Sequence, residues 1–140
     1  MKAKEYLGSL RTLKIKLDQK KEQLLELAIS RGNIGSFDYS KERVQTSTEG
    51  NQVENSAIKL LMLESQIKDD IIEFEEQKDK MIRELHGLRN NEHIILLYKR
   101  YVEFKRLEEI SVEMNYSYQY VREMHGYALK EFETTYTQPT

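Results

Sequence analysis

The only proline in the chain stands at position 139, so up to that point no residue forces a break in a helix. Apolar side chains take up that freedom twice. Ala3, Tyr6, Leu10, Leu13, Leu17, Leu24 and Leu27 recur at alternating spacings of three and four, interrupted only by Lys20 at a seam position. This pattern predicts an amphipathic helix from Ala3 to about Ser30. Gly32, Asn33 and Gly35 supply the left-handed conformations that end helices, so the helix is expected to stop near Gly32. A second stripe begins near Gln52 and carries Ala57, Leu60, Ile67, Ile71, Phe74, Met81, Leu85 and Leu88, with Glu64 and Lys78 as charged seam positions. At about 1.5 Å per residue, a helix from Gln52 to His86 is roughly 50 Å long. A small globule cannot cover such a stripe without an equally long neighbour. An antiparallel helical hairpin, or a dimer of such hairpins through the long helices, is therefore expected.

The fold class expected is all-α. Residues 1–88 form the long, coiled-coil-like hairpin with a loop at 32–51, residues 89–133 form a second module, and residues 134–140 form a flexible tail. The connection from Arg31 to Asn51 is rich in Gly, Ser, Thr and Asn and is longer than most helix connections. Phe37, Tyr39 and Val44 are its main apolar anchors, so it is either disordered or functional.

Composition narrows the function. The 140 residues include no Cys and no Trp, which excludes a disulfide framework and a thiolate metal site and agrees with a reducing cytoplasm. Met1 to Tyr6 runs directly into charged helix, so neither a signal peptide nor a membrane span is expected. The formal charge of −2 argues against a general nucleic-acid coat. Between Arg89 and Lys130, seven basic and six acidic residues leave the local charge at +1.

That region has its own pattern. Asn90 or Asn91 can cap a helix carrying Ile94, Ile95, Leu97, Tyr98, Tyr101 and Val102, and Lys105 and Arg106 mark the following turn. A short helix from Leu107 to Met114 turns Leu107, Ile110 and Met114 inward and Glu108, Glu109 and Glu113 toward water. Asn115 suits a left-handed turn position. Ser117 offers an oxygen to the free amides of a last helix, whose buried stripe is Val121, Met124 and Ala128 or Leu129. Its open face presents Tyr118, Gln119, Arg122, Glu123 and Gly126. In a helix-turn-helix the second helix reads base edges in the major groove. Arg can pair with guanine, Gln with adenine, Glu can accept from cytosine, and Tyr can meet phosphate or a thymine methyl. Gly126 allows close backbone approach, and Lys105 and Arg106 complete the expected double-stranded DNA contacts. Short helices joined by an Asn turn also occur in bundles that never touch DNA.

The stretches Leu107-Glu108-Glu109-Ile110, Met114-Asn115-Tyr116-Ser117, Val121-Arg122 and Ala128-Leu129 resemble the signature of sigma-70 region 4, and Leu97, Arg100 and Tyr101 fit the helix before it. The wider chain resembles the small phage and prophage regulators of Gram-positive bacteria related to the ArpU and RinA late-gene activators. Arg43-Val44-Gln45-Thr46-Ser47 looks like a motif such proteins carry in their intervening loop. The resemblance implies a transcription regulator of the bacterial host cytoplasm, an activator of late genes that reads a promoter-proximal site and can touch RNA polymerase. It places the reading positions at Tyr118, Gln119, Arg122, Glu123 and Gly126. Region 4 modules often begin that helix with several cations, whereas Tyr118, Gln119 and Tyr120 stand here. Weaker phosphate anchoring follows, and with it an expected need for a dimer or for polymerase.

Other chemistry finds little support. His86, His93 and His125 lack metal-ligand spacing, no Gly-rich phosphate loop occurs, and no Ser-His-acid set suggests a nucleophile. The pairs Asp69-Asp70 and Glu75-Glu76 read as solvated helix faces. Neither an enzyme nor a cofactor is expected. Of the nine Tyr residues, Tyr98, Tyr101, Tyr116, Tyr118, Tyr120 and Tyr127 gather in the second module. Tyr98 and Tyr101 are expected in its core, and Tyr118 and Tyr120 toward DNA or protein. Two other functions fit the pattern: a protein-interaction module docking on RNA polymerase or a phage regulator, and a small terminase-like DNA recognition subunit.

Overall fold

The computed structural model describes residues 2–30 and 47–136, with side chains from residue 55 onward in the second stretch. All regular structure among the described residues is helical: α1 (Ala3–Ala28), α2 (Ser47–His86), α3 (Asn91–Leu97), α4 (Leu107–Met114) and α5 (Tyr118–Tyr136), with a π-helical turn, Tyr98–Val102, extending α3. The expected stop at Gly32, the loop anchors Phe37 and Tyr39, and most of the Arg43 to Ser47 motif lie outside the described residues. Ser47 itself is helical, so α2 starts earlier than the Gln52 expected from the apolar stripe. An apolar stripe locates a helix face that can be buried and does not locate the first helical residue. Residues 134–136, expected in a flexible tail, are the last of α5. Tyr136 holds them there by packing on Phe132 at 4.9 Å and donating its hydroxyl to the Glu84 carbonyl.

Two compact units divide the chain: Met1–Lys14 with Glu73–Thr140, and Ile15–Ile72. In the second, Leu17, Leu63 and Ile67 form a small cluster with Leu24 at its edge. The seam of α2 passes through Leu63 rather than the expected Glu64, which is exposed. Leu63 continues the apolar row shared with Leu60 and Ile67, so the carboxylate stays in water. Lys20, the charged seam residue of α1, meets Asp70 at 2.6 Å, so Asp70 is not the purely solvated acid expected.

The first unit has two clusters. The larger joins Ala3, Leu7 and Leu10 of α1 to Phe74, Met81 and Leu85 of α2, and adds Leu88, Leu97, Tyr101, Val102, Ala128 and Phe132. The smaller consists of Leu96, Ile110, Val121 and Met124, with Leu107 and Met114 against it. Neighbouring residues Leu96 and Leu97 are both fully buried and enter different clusters, so α3 is covered on two sides. In α5 the division is lengthwise. Val121 and Met124 serve the smaller cluster, and Ala128 and Phe132 the larger.

Polar groups fasten these surfaces. The backbone N–H of Ala3, in the first turn of α1, donates to Glu133 Oε2 at 3.1 Å. A carboxylate is favourable at a helix N-terminus, where free N–H groups and the helix dipole both attract negative charge. Glu131 accepts from the Arg89 N–H at 2.8 Å and pairs with His93 Nδ1 at 2.6 Å. Burial pushes its pKa up, yet the hydrogen bonds from Arg89, His93 and Asn90 win and hold the carboxyl below its ordinary range. Tyr6 stacks on Phe132 at 6.0 Å and donates its hydroxyl to Glu84. Burial and then Glu84 raise its pKa.

A candidate nucleic-acid interface

Asn90 caps α3 by accepting from the N–H groups of Glu92 at 2.9 Å and His93 at 3.4 Å. At its other end the helix widens. Glu103 N–H donates to the Tyr98 carbonyl at 3.0 Å and Lys105 N–H to the Lys99 carbonyl at 3.0 Å. Between them Phe104 takes φ 62, a left-handed conformation that bulky residues rarely adopt. Its ring packs against the larger cluster, and Arg100 Nη1 donates to the Lys105 carbonyl at 3.0 Å. Packing and hydrogen bonding together hold the strained residue. The spacing of apolar residues carries no signal for this turn.

Glu109 starts α4 by accepting the Arg106 backbone N–H at 3.0 Å, and that bond is the chief cause of its lowered pKa. The helix ends as expected at Asn115, with φ 61 and ψ 39. Tyr116 N–H reaches back to the Ser111 carbonyl at 3.0 Å and Asn115 N–H to Val112 at 3.3 Å, the paired bonds of a Schellman ending. Tyr116 donates its hydroxyl to Glu92 and meets Tyr120 edge-on at 4.7 Å, tying the turn to α3 and α5. Its own pKa is raised first by that bond. Ser117 then caps α5, its Oγ accepting from the Tyr120 N–H at 3.1 Å.

With Val121 and Met124 buried, the helical repeat turns Tyr118, Gln119, Arg122, Glu123 and Gly126 outward, and all five are exposed. Gln119, Arg122 and Glu123 line a shallow depression. The Arg122 guanidinium lies 5.5 Å from the centre of the Tyr118 ring, so the aromatic face restrains the cation while leaving it in solvent. A Cβ built on Gly126 meets nothing within 4 Å, so packing does not explain this glycine. Tyr127, also exposed, lies beside this face, while Tyr98 and Tyr101 pack in or against the larger cluster.

Lys105 and Arg106 stand apart from that face in their chemistry. Lys105 Nζ is 2.7 Å from Glu113 Oε2 and 3.5 Å from Glu103, while Lys99 is 2.6 Å from Glu113. Hydrogen bonding to Glu113 raises the Lys105 pKa, and Lys105 followed by Lys99 lowers that of Glu113. Arg106 is exposed and lies 3.5 Å from Glu109. The sequence count of charges did not reveal that Glu113 holds two of the module's lysines.

Comparison with protein-family models, with curated proteins and with solved structures finds no match. No helix among the described residues is long and apolar enough to cross a membrane.

Proposed function

We propose that the chain is a DNA-binding transcription regulator of phage or prophage type, with α4, the Asn115 turn and α5 acting as a sigma-70 region 4-like helix-turn-helix behind a long helical hairpin. The observation that carries this reading is the open face of α5. A carboxamide, a guanidinium and a carboxylate, those of Gln119, Arg122 and Glu123, sit together within about one turn on the exposed side of a helix whose other side is packed in an apolar core. That arrangement suits base-edge recognition, because a reading helix must be rigid on one side and bare on the other. Region 4 likeness in the residues from Leu107 to Leu129 adds the expectation of an upstream promoter site and of contact with RNA polymerase.

Footprinting on promoter regions of the phage or prophage that encodes the chain tests the proposal. Protection by the native protein, lost in Arg122→Ala with helicity unchanged, is the expected result. Absence of any protected site, with or without polymerase, overturns it.

A second reading, a docking module for polymerase or another regulator, is favoured by the pairing of Lys99 and Lys105 with Glu113 and by the exposed Tyr118, Tyr120 and Tyr127. Fewer free cations favour protein over phosphate, and exposed tyrosines favour protein contacts. Recovery of polymerase subunits without any DNA shift at low salt would select it.

A further inference from the structure

Among the described residues of the unit Ile15–Ile72, α1 covers one face of α2 and the opposite face is exposed. Leu63 and Ile67 pack with Leu17 and Leu24. The 3.6-residue repeat puts Ile58, Leu61, Ser65, Asp69 and Ile72 on the far side of the helix, with Met62 at its edge, where it also borders the groove lined by Gln23 and Leu27 of α1. All six are exposed, and the four apolar ones retain between 53% and 64% of their accessible surface. Single exposed apolar residues are ordinary, but a second apolar stripe on an already amphipathic helix is not. We propose that this face is a self-association surface, on which α2 of a second copy packs antiparallel about a two-fold axis near Ser65. The inference rests on the helix faces alone and holds whether or not α5 reads DNA.

Three features select a second copy. The first is area. Four such side chains expose on the order of 400 Å² of apolar surface per copy, and a standard interface takes about 800 Å² from each partner, of which roughly 57% is apolar. The stripe therefore matches the apolar share that a dimer needs. The second is symmetry. A two-fold interface must complement itself, and Ile58 and Ile72 each lie one heptad from Ser65, so antiparallel pairing sets Ile58 of each copy against Ile72 of the other. The small Ser65 side chain at the crossing point lets the helices approach closely.

Charge is the third, and it sets direction. A parallel pair would place Asp69 beside Asp69 in the seam. Antiparallel pairing separates these carboxylates along the axis and brings Lys68 toward Glu64 of the other copy, because like flanks then face each other. Lys68 and Glu64 lie on the same flank of the stripe and are both exposed.

Sedimentation velocity on the full chain across the micromolar range is expected to show a monomer–dimer equilibrium. Leu61→Asp should weaken it by about tenfold or more while leaving the circular dichroism unchanged, since Leu61 is exposed. The sequence contains no cysteine, so single introduced thiols report register cleanly. Oxidised Ser65→Cys should give a covalent dimer, Ile58→Cys alone should not, and a mixture of Ile58→Cys and Ile72→Cys should. A chain that stays monomeric throughout, a dimer indifferent to Leu61→Asp, or Ile58→Cys cross-linking as readily as Ser65→Cys would each overturn the proposal.

Discussion

The hydroxyl of Tyr101 and Nε2 of His125 are hydrogen-bonded at 2.7 Å, with their rings stacked at 5.7 Å, between the π-helical turn and the middle of α5. Burial, and then the nearby charges of Arg100 and Lys4, hold the His125 pKa down to about 4 from 6.5. Well above pH 6.5 the imidazole is neutral in folded and unfolded chains alike, and stability is at its full value. As pH falls from about 6.5 toward 4 the unfolded chain binds a proton that the folded chain resists, so stability is lost across that window. Allowing for the partial exposure of His125, the slope is no more than about 1 kcal/mol per pH unit. Thermal melts at neutral and mildly acidic pH should show a loss that His125→Gln reduces. An equal loss in the variant would assign the acid sensitivity elsewhere.

Asn115 is the hinge between α4 and α5 by conformation alone, with φ 61. Asn115→Gly should leave stability unchanged or slightly raised, whereas Asn115→Ala should lower it by about 1 kcal/mol and Asn115→Val by more: Cβ crowds the following carbonyl in this region, Gly lacks it, and the short polar side chain of Asn offsets the crowding by local hydrogen bonding as Ala and Val cannot. Urea denaturation measures the series. A destabilised glycine variant would mean that the Asn side chain, and not its backbone tolerance, matters.

Leu96 and Leu97 divide the first unit between them. Each truncation to Ala is expected to cost about 2–5 kcal/mol, but in different places. Native-state hydrogen exchange should show Leu96→Ala loosening α4 and the start of α5, and Leu97→Ala loosening α1 and the end of α5. Identical exchange patterns would show that the two clusters behave as one core.

Glu113 holds Lys99 and Lys105 at 2.6 and 2.7 Å. If the module binds DNA, Glu113→Gln should release Lys99 for phosphate and loosen Lys105, which keeps only the longer contact to Glu103. Affinity for unrelated duplex should rise, and the salt dependence should steepen by up to about two counterions. Titrations at two salt concentrations measure this, and an unchanged slope would mean that neither lysine faces the duplex.

The helices and their caps were legible because each has a local cause: Asn90, Asn115 and Ser117 take the cap positions their side chains suit, and Ile110, Val121 and Met124 follow the helical period. Leu7 was not read as core, although it is fully buried. The stripe through Tyr6 and Leu10 anticipates one neighbour, and α1 is packed by both α2 and α5, which widens its buried arc. Phe104 illustrates a different limit. Its left-handed backbone arises from hydrogen bonds that skip five and six residues, and no single residue type announces them. At the candidate site, the outward positions of α5 followed directly from periodicity. The capture of Lys105 by Glu113 did not, because it depends on how α4 turns back on the π-helical segment.

The lengthwise division of α5 has a mechanical consequence. Its first half is gripped by α4 and Leu96, and its second half by the opening turns of α1 through Phe132, Tyr6 and the Glu133 carboxylate. The segment bearing Arg122 is thus one end of a spindle whose other bearing is the first turns of α1. A fusion, truncation or binding event that lifts α1 off Phe132 would let that spindle swivel, and would be felt at Arg122 without touching it.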